Sequence, residues 1–71
     1  MSEPSFEAIA ACRSLTFEAI QEHLDLAGSY ALSAREAAWR GSPATLKIHL
    51  AQLRLCVIEA LSAFKTLEVS P

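Results

Sequence analysis

Chain breakers are nearly missing from this protein, with two glycines and three prolines among 71 residues. A sequence with so few turning points excludes the many-turned all-β architectures and leaves long uninterrupted elements. Positive charge is also scarce: six Lys and Arg stand against eight Asp and Glu, a formal net charge of −2, and no cluster of basic residues occurs. The electrostatic footprint of a nucleic-acid binder is absent. Long apolar runs are lacking too. The longest stretch without a charged residue or histidine runs from Leu26 to Ala34, far short of the roughly 20 apolar residues that span a bilayer. The opening residues, Met-Ser-Glu-Pro-Ser-Phe-Glu, hold no basic segment followed by an apolar one. Export by the general secretory route is therefore not expected, and the cytoplasm is the expected location. Cys12 and Cys56 are the only cysteines. Without CxxC spacing they read as free thiols packed as small hydrophobes rather than as a disulfide or zinc site.

What is present favours helix. Apolar residues make up 52% of the chain, Ala and Leu dominate, and both are strong helix formers. The expectation is an all-α fold in a single domain covering residues 1–71. A core of this size rarely supplies more than about 3–5 kcal/mol on its own, so help from a partner is expected.

The stretch "AWRGSPATL", residues 38–46, is where one helix must end and another can begin. Gly41 can adopt the left-handed conformation that ends helices, Ser42 is a favoured N-cap, and Pro43 suits a first helical position. The chain thus reads as an antiparallel αα-hairpin: a helix over about 4–40, a turn at 41–42, and a helix over about 43–68. Pro4 would open the first helix. Ser14 or Thr16 could cap a new turn near Cys12 to Thr16, which admits a short extra N-terminal helix.

The first helix carries an apolar stripe of Phe6, Ala10, Phe17, Ile20, Leu24, Ala27, Ala31, Ala34 and Ala38, interrupted by Arg13, at the alternating spacing of a heptad. Its alanines predict the closest helix approach near the turn. Opposite them lie Glu7, Glu18, Glu22, Asp25 and Glu36, which read as a solvated acidic face. The second helix carries a matching stripe of Leu46, Leu50, Leu53, Val57, Ala60, Phe64 and Leu67. It also carries another, Ile48, Ala51, Leu55, Ile58 and Ser62, which at about 100° per residue falls nearly opposite the first. Lys47, Arg54 and Lys65 line one edge between these stripes; His49, Gln52 and Glu59 line the other.

A helix apolar on opposite sides is normally buried on both, yet a two-helix hairpin can cover only one. Ile48, Ala51, Leu55 and Ile58 are therefore the expected protein-binding surface, since exposed apolar patches mark such contacts. Trp39 projects from the first helix just before the turn. It serves either as an accessory anchor or as a cover folded back over the turn.

Catalysis is not expected. His23 and His49 are isolated, no Glu-x-x-His pair occurs, no Gly-rich phosphate loop is present, and the fold offers no concavity for a substrate. No cofactor and no metal is expected. A metal site assembled between protomers from His49 and Glu59 is the remote exception.

The turn "WRGSPATL" and the stretch "VIEALSAF" resemble the corresponding parts of the small type III secretion co-chaperones of the YscE/PscE family. The shared features are an Arg-Gly pair at the turn, here Arg40 and Gly41, and an Ala-rich apolar run in the last helix, here Ile58 to Phe64. The resemblance covers roughly residues 15–68, departs from the family pattern at Pro43 and Arg13, and carries over no binding residue. It implies a cytoplasmic helper that performs no reaction. Such a helper binds a tetratricopeptide-like chaperone, and the complex holds the needle subunit so that it does not polymerise before export. The alternative is a homodimer in which two hairpins pack as a Rop-like four-helix bundle with a structural or regulatory role.

Overall fold

A computed structural model describes residues 5–69, and these form two helices, α1 over Phe6–Arg40 and α2 over Pro43–Val69. The expected start of the first helix at Pro4 lies outside the described residues. Ser5 is the N-cap: its backbone is extended, its hydroxyl accepts from the Ala8 amide at 3.1 Å, and its carbonyl accepts from Ile9 at 3.1 Å. An exposed donor that α1 would otherwise leave unpaired is satisfied in this way.

The helix does not break between Cys12 and Thr16. The Thr16 hydroxyl donates to the Cys12 carbonyl one turn back, at 2.9 Å. A hydroxyl engaged inside the helix in that manner is not free to cap a new one.

At the other end of α1 the local chemistry of the turn decides the architecture. Gly41 has φ 70° and ψ 35°; its amide donates to Ala38 at 3.1 Å, and the Ser42 amide donates to Ala37 at 2.9 Å. This pair of reversed bonds is the Schellman arrangement, which closes the final carbonyls of a helix and turns the chain away. Ser42 then opens α2. Its carbonyl accepts from Leu46 at 3.0 Å, and its hydroxyl donates to Thr45 Oγ1 at 3.1 Å. Pro43 occupies the first helical position, where its missing N–H costs nothing.

The product is a rod. Its Cα extents are 58 × 15 × 15 Å and its radius of gyration is 16.8 Å, against about 11 Å for a globular chain of this length. Among the described residues five are buried: Ala27, Ala34 and Ala37 of α1, and Cys56 and Ala60 of α2. All are small, so the helices approach closely, as the alanines nearest the turn lead one to expect. No large side chain among the described residues is fully buried.

The seam between the helices is rotated from the stripes of greatest hydrophobicity. On α1 the seam runs through the buried and half-buried positions Ile9, Arg13, Thr16, Ile20, His23, Ala27, Tyr30, Ala34 and Ala37, with half-buried Ala19 and Ser33 beside it. On α2 it runs through Leu46, His49, Leu53, Cys56, Ala60, Ala63 and Leu67, with half-buried Gln52 beside it. Both sets keep the heptad spacing. Arg13, Ile20, Ala27 and Ala34 belong to the expected stripe of α1, but Ala10, Phe17, Leu24, Ala31 and Ala38 are exposed one residue to the side. Likewise Leu50, Val57 and Phe64 of α2 give way to His49, Cys56 and Ala63. Counted outwards from the turn, the two seams come into register as Ala37 with Leu46, Ala34 with His49, Tyr30 with Leu53, and Ala27 with Cys56. Ala37 and Ala34 each face a larger residue, Tyr30 faces Leu53, and the small residues Ala27 and Cys56 meet each other. Two facing rows of Phe and Leu would hold the axes apart and forfeit that packing.

Candidate functional site

Each apolar row of the hairpin faces a definite direction once the seam is fixed. The outer side of α2 carries Ile48, Ala51, Leu55 and Ile58, the four residues expected to bind protein, and all four are exposed. Leu55 is the most open of them at 61%. Ala51, Leu55 and Ile58 line a shallow depression together with Arg54. α2 is committed to α1 along the opposite side, so nothing within the hairpin covers this row.

Trp39 stands elsewhere. It is 88% exposed, so it does not fold back over the turn. It lines a depression on α1 with Leu32, Arg35, Glu36 and Arg40. Arg40 Nη2 donates to Glu36 Oε2 at 3.3 Å, an exposed pair that orients the guanidinium while adding little stability. Trp39 and Leu32 point away from α2, and the Leu55 depression faces away from α1. The structure therefore gathers Ile48, Ala51, Leu55 and Ile58 on one surface and sets Trp39 apart on another.

A further surface emerges where sequence reasoning placed core. Phe17 and Leu24 of α1, with Leu50, Val57 and Phe64 of α2, occupy the row beside the seam on each helix. In an antiparallel pair those rows fall on the same side. Their exposures lie between 47% and 53%, as expected of residues that touch the neighbouring helix with one face and present the other outwards. The opposite side of the rod is different in character. There Ser33 and Arg40 meet Thr45 and His49 around one small depression, with Gln52 and Glu59 further along α2 in the same row as Thr45. One side of the hairpin is apolar along its length, whereas the other is polar towards the turn, with Leu26 exposed further along α1 in the row of Ser33 and Arg40. The signal that could have found this was the row Lys47 and Arg54, which separates the Leu50–Val57–Phe64 line from the Ile48–Leu55 line.

His49 is a seam residue, half-buried, rather than a member of the polar edge. Its Nδ1 lies 2.9 Å from Gln52 Oε1. Glu59 is exposed. Among the described residues no group of three or more His, Cys, Asp or Glu is gathered as a metal site would need. Cys12 is exposed and Cys56 buried, and both are free. No helix among the described residues is long and apolar enough to cross a membrane.

Comparison with known proteins yields no match to any protein-family model, to any curated protein or to any solved structure.

Proposed function

We propose that this hairpin works by binding another helical protein. In the finer reading it is a cytoplasmic co-chaperone that stabilises a tetratricopeptide-like chaperone holding a type III secretion needle subunit, and it performs no reaction itself. The observation that carries the reading is the outer side of α2, where Ile48, Ala51, Leu55 and Ile58 stand exposed on a helix already packed along its other side. Stacked helical repeats present an extended concave surface, and a rod about four times longer than it is wide suits such a surface along its length. Trp39, set apart on α1, would meet the edge of that surface as an accessory anchor. The resemblance of residues 15–68 to small secretion co-chaperones supplies the identity of the partner.

The test is co-expression with a tetratricopeptide-like chaperone and its needle subunit, followed by affinity and size-exclusion purification. A stable complex containing all three chains is the expected result. Leu55→Asp should abolish it while leaving the helical circular dichroism of the isolated chain largely intact. Failure of the wild-type chain to co-purify, or unchanged co-purification by the Leu55 variant, would sink the reading.

A further inference from the structure

The exposed residues Ile48, Ala51, Leu55 and Ile58 on the outer side of α2 have unlike borders. At about 100° per residue, one border carries Lys47 and Arg54, followed by Leu61 and Glu68, and the other carries Thr45, Gln52, Glu59 and Thr66; all but Gln52 are exposed. Lys65 stands between the borders, in line with Ala51 and Ile58 and three residues from Glu68, so that the two charges at the open end offset each other. Lys47 and Arg54 have no such neighbour. No carboxylate stands three or four residues from either, and the one ion pair among the described residues is that of Arg40 with Glu36. Arg54 is also a wall of the depression that Ala51, Leu55 and Ile58 form. A cation without a counter-charge thus lines the same hollow as the apolar side chains.

We propose that the outer side of α2 receives an amphipathic helix of another protein whose apolar stripe is edged with carboxylates along a single border. The inference rests on the reading of this side as a protein-binding surface and adds the chemistry of what binds there. An apolar side chain of the partner fills the depression beside Leu55, and a carboxylate one turn away on the same partner helix reaches Arg54. A second carboxylate, two turns from the first, reaches Lys47, because seven residues separate Lys47 from Arg54, about 10 Å along α2. The other edge of the partner, which passes over Gln52 and Glu59, is neutral or basic. The apolar contact supplies the affinity, and the border charges select the partner.

Other occupants match these charges less well. An anionic lipid surface is attracted by Lys47, Arg54 and Lys65, but Glu59 and Glu68 flank the same row and the chain as a whole carries a net charge of −2. Helices that lie on membranes have a basic polar face instead. A second copy laid on this side in the opposite direction brings Arg54 beside Arg54. Laid in the same direction it gives Arg54 to Glu59, but it sets Lys65 against Lys65 within the contact itself, where desolvation makes like charges costly. A partner whose carboxylates are confined to the stretch from Lys47 to Arg54 meets no like charge.

Two synthetic peptides of about 20 residues, long enough to hold a helix, test it. Both carry a heptad stripe of leucine; one has Glu along a single border and the other has Lys in the same places. Binding to the full chain is read by fluorescence anisotropy of the labelled peptides. The Glu peptide is expected to bind more tightly than the Lys peptide by about fivefold or more at low salt, with the difference shrinking as added salt screens the border. Lys47→Glu combined with Arg54→Glu should reverse the preference, both positions being exposed and glutamate a good helix former. Leu55→Asp should lose both peptides. Equal affinity for the two peptides, or a preference unmoved by the double substitution, would overturn the proposal while leaving the protein-binding surface intact. Binding that survives Leu55→Asp, or no binding of either peptide, would remove the surface and the proposal with it. Two further results would overturn the proposal by naming another occupant: tight binding to phosphatidylserine vesicles that Leu55→Asp abolishes, or self-association in sedimentation equilibrium that Leu55→Asp abolishes.

Discussion

The Ser42 amide donates to the carbonyl of Ala37, 2.9 Å away, and with that bond α1 ends and the chain reverses. The bond depends on the residue between them, because only a left-handed Gly41 brings the Ser42 amide back over the last turn. A Cβ at Gly41 would meet no atom within 4 Å, so a substitution there is opposed by the backbone alone. Gly41→Ala should accordingly destabilise the hairpin by about 1–2 kcal/mol, the usual cost of left-handed backbone for a residue with a side chain. Thermal denaturation followed by circular dichroism at fixed protein concentration checks this. An unchanged midpoint would show that the turn is not held in the left-handed conformation.

The small seam residues carry a second expectation. Ala34 is buried at 5% exposure and comes into register with half-buried His49, so the space facing it is already filled. Ala34→Leu should force the helix axes apart at the turn end and cost about 1–3 kcal/mol, as overpacking of a close contact does. The same enlargement at exposed Ala31 should cost almost nothing, since leucine is nearly as good a helix former as alanine. Equal melting of the two variants would mean that the seam passes through Ala31, as hydrophobicity alone suggested.

That comparison also marks how far the sequence could be read. The all-α hairpin and its turn were legible because Gly41, Ser42 and Pro43 act through local backbone chemistry that needs no tertiary information. The outer row of Ile48, Ala51, Leu55 and Ile58 was legible because it lies on the far side of α2 whichever neighbouring row forms the seam. The seam itself was misplaced by one residue in several turns of each helix. Both helices have more apolar rows than a single contact can cover, and counting hydrophobic residues favours the row holding Phe17, Leu24 and Phe64. Close helix approach instead favours the row holding Ala37, Cys56 and Ala63, and it tolerates Thr16, His23 and His49 within it. Large residues displaced from the seam by that preference became the apolar side of the rod.

The two thiols report on the same packing. Cys12 is exposed, whereas Cys56 is buried at the seam. Cys56 should react with a small alkylating reagent only when the helices part locally. If parting costs about 3 kcal/mol, its labelling should lag that of Cys12 by roughly a hundredfold. Mass spectrometry of a labelling time course should therefore show one fast adduct and one slow, with the difference abolished in denaturant. Equal rates under native conditions would place Cys56 outside the seam.

Gly28 lies in the middle of α1 with no structural demand on it. It is exposed, Gly41 is the only described residue with positive φ, and a Cβ added at Gly28 would meet nothing within 4 Å. Glycine inside a helix leaves the unfolded chain with more freedom to lose, by an amount equivalent to about 0.5–1 kcal/mol relative to alanine. Gly28→Ala should stabilise the hairpin by that amount, raising its melting midpoint by roughly 2–8 °C. Thermal denaturation followed by circular dichroism measures this. Loss of stability would mean that α1 needs glycine at this position, and the continuous helix from Phe6 to Arg40 would be the wrong description of it.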